Sequence, residues 1–91
     1  MHYCYILYSL KSGIFYIDHT GDLEREVVLH NRAKIVSTGP HLPWELVWHE
    51  SFDTEKKAHD CARYLKSHNG REYVYKRLLS MIFPQNKVME S

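Results

Sequence analysis

Three stretches of the chain are rich in aromatic and aliphatic side chains, and each stretch predicts a β-strand. Residues 2–9 are aromatic and aliphatic with a partial period of two, and Phe15-Tyr16-Ile17 follows after the turn residues Lys11-Ser12-Gly13. The short connection predicts that these two strands pair antiparallel. A third strand is predicted over residues 44–52, which are rich in aromatic and aliphatic side chains.

Apolar positions at helical spacing follow the second strand and predict the first helix. Asp22 is a suitable N-cap for a helix from Leu23 to about His30, in which Leu23 and Val27 lie on one face. Residues 32–43 lack this spacing and contain the cluster Ser37-Thr38-Gly39-Pro40, which predicts an irregular loop. This loop is expected to lead the chain to the third strand.

Two more helices are predicted after the third strand. Asp53-Thr54 is a suitable cap for a helix of about 55–67. Its inner face is predicted to consist of Ala58, Cys61, Ala62 and Leu65. Asn69-Gly70 is expected to end this helix, and a last helix is predicted from Arg71 to Met81.

The predicted order β-β-α-β-α-α indicates an α+β domain with a three-stranded antiparallel-type sheet and three flanking helices. Residues 1–82 are expected to form the domain and residues 83–91 a frayed tail. With 44% hydrophobic and 25% charged residues, the composition is that of a globular protein and excludes a disordered chain. The sequence contains no run of about 18 apolar residues and no secretion signal, so a cytoplasmic location without membrane contact and with free thiols is expected.

Several short motifs occur in the order and spacing of a known family. They are Tyr3-Cys4-Tyr5-Ile6-Leu7, Phe15-Tyr16-Ile17, Thr20-Gly21-Asp22-Leu23-Glu24-Arg25, His30-Asn31, Ser37-Thr38, Pro43-Trp44-Glu45-Leu46-Val47, and Ala58 to Ser67 with Gly70-Arg71. Through them the chain resembles the GIY-YIG nuclease superfamily, and its small stand-alone bacterial members in particular, from residue 2 to about 79. The resemblance implies the same three-stranded sheet and a phosphodiester-cleaving site on one of its faces.

The resemblance also implies which residue types perform the chemistry. In active members a tyrosine of the first motif activates water and a tyrosine of the second helps to hold the phosphate. An arginine on the first helix stabilises the charge of the transition state, and a glutamate on the next helix binds one divalent metal ion. By position the tyrosines are Tyr5 and Tyr16, and with His30 they form the predicted catalytic set.

Three other positions depart from the family pattern. Glu26 stands where the resemblance implies the arginine, Ala62 where it implies the metal-binding glutamate, and Asp18 where it implies the glycine of the second motif. The three changes make the site two charge units more negative, so a phosphate would meet repulsion. Arg25 leaves the helix about 100° away from Glu26 and is not expected to replace the arginine. The sequence therefore predicts a degenerate, catalytically impaired site with no cofactor, and with Mg²⁺ or Mn²⁺ only if it is active.

Two other interpretations stay open at this point. One is a working metal-dependent DNA endonuclease with a relocated site that uses Asp18 and Glu26 beside the tyrosines and His30. The other is a protein-interaction module or homodimer that acts through Val28 and Leu29, which lie off the inner stripe of the first helix. The seven histidines show no short spacing typical of a zinc site.

Weak nucleic-acid binding is a further expectation. The net charge of +1 does not by itself indicate a nucleic-acid partner, but basic residues concentrate in the second half of the chain. The residues predicted to contact DNA are Lys34, Arg63, Lys66 and Arg71.

Overall fold

The predicted α+β architecture and its order of elements are confirmed in a computed structural model, which describes residues 1–74 and residue 76. The strands are β1 (His2–Ser9), β2 (Phe15–Thr20) and β3 (Trp44–Phe52), and the helices are α1 (Leu23–Asn31), α2 (Glu55–Lys66) and α3 (His68–Tyr73). A short 3₁₀ turn covers Gly39–His41. The end of the predicted last helix, the boundary at residue 82 and the predicted tail lie outside the described residues. Within the described part, no helix is long and apolar enough to cross a membrane.

The central strand β1 is covered on both of its faces. It pairs antiparallel with β2 on one side and with β3 on the other. Side chains alternate between the two faces of a strand, so Cys4 and Ile6 point to one side and Tyr5 and Leu7 to the other. All four are buried, which explains why this stretch of the sequence is almost continuously apolar.

The two faces of the sheet carry separate cores. On the α2 face, Ala62 and Leu65 pack with Cys4 and Ile6. On the α1 face, Tyr5, Leu7 and Trp44 form the core, and Leu23 and Val27 of α1 pack against it. The inner faces predicted for both helices are therefore confirmed. Both cysteines are free, and burial raises the pKa of the Cys4 thiol above its usual range.

The prediction that Asn69-Gly70 ends the second helix is wrong. Helix α2 ends at Lys66, and Ser67 begins a new helix because its hydroxyl accepts a hydrogen bond from the amide of Gly70 at 3.2 Å. Gly70 lies inside α3 and is buried. A Cβ atom at this position would overlap the backbone oxygen of Tyr64, so the glycine permits close approach of α3 to the end of α2.

Strand β2 is longer than predicted, since it continues through Asp18 and His19 to Thr20. Asp18 has weak strand propensity, but pairing with Tyr5 in the apolar strand β1 overrides it. The register places Asp18 directly opposite Tyr5 and Tyr16 opposite Leu7. Asp18 is therefore held on the α1 face beside the two tyrosines.

The loop between α1 and β3 is tied to the sheet by side-chain hydrogen bonds. The Asn31 side chain accepts a bond from the Trp44 amide at 2.8 Å and donates one to the Trp44 carbonyl at 3.0 Å. The Trp44 indole donates to the carbonyl of Thr38 at 2.9 Å. These bonds hold Thr38 beneath the end of α1, where it is fully buried.

Replacing Gly70 with alanine is expected to destabilise the fold by about 2 kcal/mol or more, because backbone atoms must move to admit the methyl group. Gly39→Ala is the matched control, since its Cβ would lie 3.8 Å from the Cβ of Ala33 in ordinary contact, and it is expected to change stability by less than about 1 kcal/mol. Urea unfolding of the three proteins measures both effects. Equal stability of the two variants would contradict the close approach of α3 to α2.

Candidate functional site

The two predicted tyrosines lie next to each other on the α1 face of the sheet. Tyr5 is 1% exposed and Tyr16 is half-buried, and their ring centroids are 6.4 Å apart. His30, from the last turn of α1, packs against both rings. The structure thus brings together the three residues predicted as the catalytic set.

A buried chain of hydrogen bonds runs from Tyr5 through His30 to Thr38. The Tyr5 hydroxyl lies 3.2 Å from Nε2 of His30, and Nδ1 of His30 lies 2.8 Å from Oγ1 of Thr38. The Thr38 hydroxyl donates its single proton to the carbonyl of Ile35 at 3.3 Å. Thr38 therefore accepts from Nδ1–H, and Nε2 of a neutral His30 accepts from the Tyr5 hydroxyl.

Burial is the main cause of the shifted pKa values of Tyr5, Tyr16 and His30. It raises the pKa of Tyr5 well above its usual range, and the nearby Tyr16, Glu26 and Asp18 add to the effect. The pKa of Tyr16 is raised to about 12 by burial and then by its hydrogen bond to Asp18. Burial lowers the pKa of His30, although the carboxylates of Glu26 and Asp18 oppose this. Both phenols are consequently protonated at neutral pH.

Glu26 places a carboxylate at the position where the resemblance implies an arginine. It lies one helical turn before His30 on α1, and its Oε2 is 3.7 Å from Nε2 of His30. The same carboxylate faces the hydroxyl of Tyr5. Arg25 is exposed, in agreement with the expected divergence of the two side chains. The cluster therefore contains an anion where the resemblance implies a cation.

Asp18 adds a second carboxylate and is held by several donors. Its Oδ2 accepts a hydrogen bond from the Tyr16 hydroxyl at 2.9 Å, and its Oδ1 accepts one from the His19 amide at 2.8 Å. The ammonium of Lys66, at the end of α2, lies 3.8 Å from Oδ1. Lys66, predicted as a nucleic-acid contact, is thus ion-paired with a residue of the candidate site.

Ala62 does not border this cluster. It is 1% exposed and packs with Cys4 and Ile6 on the α2 face, whereas Tyr5 belongs to the opposite face. Within residues 1–74 and 76, no group of three or more His, Cys, Asp or Glu side chains is arranged to hold a metal ion. Among these described residues, therefore, no group of side chains fits the divalent metal that the resemblance implies.

Two of the predicted nucleic-acid contacts share one groove. Lys66 and Arg71 lie at a groove of about 430 Å³ between β2 and the end of α2, and Nε of Arg71 donates to the carbonyl of Lys66 at 3.2 Å. The other lining residues are Ile14, Phe15, Tyr16, Ile17 and Val74. Lys34 and Arg63 are exposed elsewhere, in the loop after α1 and on α2, and do not line the groove.

The patch predicted on α1 is only partly exposed. The side chain of Val28 is 45% exposed, whereas Leu29 is half-buried. Contact between two copies through these residues stays a prediction.

Thr38 was not identified from the sequence as a member of the site, and Lys66 was predicted only as a nucleic-acid contact. Thr38 lies in an irregular loop eight residues after His30, and no spacing rule indicates that their side chains meet. The Lys66 contact with Asp18 joins residues 48 positions apart and depends on where α2 ends. The occurrence of Ser37-Thr38 among the family motifs was the one signal that pointed to this loop.

The chain is similar to known proteins at the level of its sequence. The family model described as the GIY-YIG catalytic domain matches residues 1–86. A protein of Bacillus pumilus with the printed name "UPF0213 protein" is 36% identical over 58 residues, which cover 63% of this chain and 58% of that relative. The match thus spans little more than half the length of the curated relative. No solved structure matches the chain significantly.

Thr38→Val is expected to destabilise the fold by about 1–3 kcal/mol, because it leaves the Nδ1–H of His30 without an acceptor inside the protein. Thr38→Ser keeps the hydroxyl and loses only a buried methyl, at a cost of about 0.8 kcal/mol. Urea unfolding measures the stability, and ¹⁵N NMR of His30 reports its tautomer. An unchanged Nδ1–H tautomer and unchanged stability in Thr38→Val would contradict the assignment.

The lowered pKa of His30 predicts a pH dependence of stability. As the pH falls through the ordinary value of 6.5, the unfolded chain binds a proton at this histidine that the folded chain does not. The free energy of unfolding is therefore expected to decrease from about pH 7 to about pH 5. His30→Gln should make this dependence shallower, and His68→Gln, at an exposed histidine, is the control. Urea unfolding across this range tests it, and an equally steep dependence in His30→Gln would refute it.

Proposed function

The chain belongs to the GIY-YIG family, and on this premise we propose that it is a nuclease-family domain with a degenerate active site and impaired phosphodiester hydrolysis. The observation that carries the proposal is the Glu26 carboxylate, which faces Tyr5 and lies 3.7 Å from His30 in the space where the resemblance implies an arginine. The domain keeps the aromatic pair of the family but presents the wrong charge to a phosphate.

The electrostatic cost of placing a phosphate beside Glu26 supports an impaired active site. Two like charges about 4 Å apart repel by about 4 kcal/mol at an effective dielectric constant of 20. Loss of one group that stabilises transition-state charge costs a factor of about 10²–10³ in rate. Glu26 combines both effects, because it removes the cation and adds an anion.

The protonation states of Tyr5 and His30 also disfavour phosphodiester hydrolysis. A phenol that is to activate water must lose its proton, but burial and the nearby negative groups raise the pKa of Tyr5. The neutral His30 accepts a hydrogen bond from this phenol, yet burial also disfavours its imidazolium form. Transfer of the proton from Tyr5 to His30 would therefore create two disfavoured buried ions.

The proposed residual activity is weak nucleic-acid binding. Lys66 and Arg71 supply two cations at one groove, and each is exposed enough to reach a phosphate. Lys66 is shared with Asp18, which reduces the charge available to a nucleic acid. Binding through so few phosphate contacts is expected to be weak and to decline further as salt is raised.

Purified protein is expected to show no cleavage of plasmid or branched DNA above the background with millimolar Mg²⁺ or Mn²⁺, because the site lacks both the cation and the metal ligand. Gel assays with the parent, Tyr5→Phe and Tyr64→Phe test this. Tyr64 is an exposed tyrosine of α2 that lies outside the site and serves as the matched control.

One pattern of results would overturn the proposal. The pattern is DNA cleavage by the parent and by Tyr64→Phe but not by Tyr5→Phe, since that would assign the activity to this site.

Glu26→Arg combined with Asp18→Gly restores the charge that the resemblance implies, and this variant is expected to bind DNA more tightly than the parent. Ala62→Glu is left out of this variant because residue 62 is buried in the α2-face core.

A further inference from the structure

We propose that Tyr16, Lys66 and the His19 amide form an anion subsite for a phosphoryl group, and that the Asp18 carboxylate occupies this subsite as an internal ligand. The proposal deepens the function given above and rests on it only for the identity of the anion, a phosphate. Asp18 then withholds the subsite from phosphate in solution.

The donors approach both oxygens of one carboxylate. The Tyr16 hydroxyl donates a hydrogen bond to Oδ2 of Asp18 at 2.9 Å. The His19 amide donates to Oδ1 at 2.8 Å, and the Lys66 ammonium lies 3.8 Å from the same oxygen. A hydroxyl, a backbone amide and an ammonium together form a donor set that proteins use for phosphate oxygens. The three donors come from an edge strand and from the last residue of α2.

The position of Asp18 places the carboxylate at the tyrosine pair. It lies directly opposite Tyr5 in the sheet and two residues after Tyr16, so all three side chains share the α1 face. Its side chain is 33% exposed, so the same point is open to a ligand from solution. Aspartate has weak strand propensity, and its place in β2 is therefore not explained by the backbone alone.

A carboxylate fixed to the strand competes strongly with a free anion. Its effective concentration at the three donors is on the order of millimolar or higher, because it is tethered by a single methylene. A phosphate would have to displace it and would also be repelled by its charge. Removal of the carboxylate releases all three donors and leaves the Lys66 charge uncompensated at that point.

Titration with inorganic phosphate tests the proposal, with the His19 amide and the Lys66 side chain observed by ¹H–¹⁵N NMR. Asp18→Gly is expected to bind phosphate about tenfold more tightly than the parent or better, the equivalent of one charge-assisted hydrogen bond. Asp18→Asn keeps the size of the side chain and is expected to shift affinity in the same direction. If Asp18→Gly destabilises the edge strand β2, phosphate binding by Asp18→Asn tests the proposal instead.

Two controls separate the subsite from a general charge effect. Asp60→Asn removes a carboxylate that pairs with Lys56 on the exposed side of α2, and it is expected to bind phosphate as the parent does. Lys66→Met in the Asp18→Asn background is expected to lose the gain, since methionine keeps the unbranched apolar stem of the side chain without its charge.

The proposal is overturned if Asp18→Asn and Asp60→Asn bind phosphate equally, or if Lys66→Met leaves the gain intact. It is also overturned if the parent binds phosphate as tightly as the Asp18 variants, because Asp18 would then withhold nothing. DNA cleavage by the parent would refute the impaired site but would not change these affinities. The two failures are therefore distinguishable.

Discussion

The buried hydrogen-bond chain from Tyr5 through His30 to Thr38 connects the parts of the α1 face. It joins the central strand to the last turn of α1 and to the loop that precedes β3. Each polar atom in it is removed from water, so each needs a partner inside the protein. The loop is held in turn by Trp44 and Asn31, which makes the position of the candidate site depend on this single network.

The charge of the site is carried by groups outside this network. Glu26 and Asp18 lie at the edge of the network, not inside it, and both side chains are partly exposed. The Asp18 carboxylate is compensated locally by Tyr16 and Lys66, and the Glu26 carboxylate keeps contact with solvent. Packing of the aromatic pair and electrostatic suitability for phosphate are therefore separable properties in this domain.

Local chemistry explains which features the sequence could predict. The caps at Asp22 and Thr54 depend on neighbours in the chain, and both are found in the structure, whereas β1 shows no alternation of burial because both of its faces are covered. Gly70 was misassigned because its constraint comes from the backbone of the preceding helix. The site was predicted only in part: Tyr5, Tyr16 and His30 meet as expected, while Thr38 and Lys66 contribute through contacts that no spacing reveals.

The burial of Ala62 restricts the side chains that this position can accept. A glutamate placed there would enter an apolar core with no cation described beside it, and an unpaired buried carboxylate costs several kcal/mol. A domain of this size has a total stability of about 5–10 kcal/mol. A polar side chain at residue 62 would therefore require the α2-face core to be rebuilt around it.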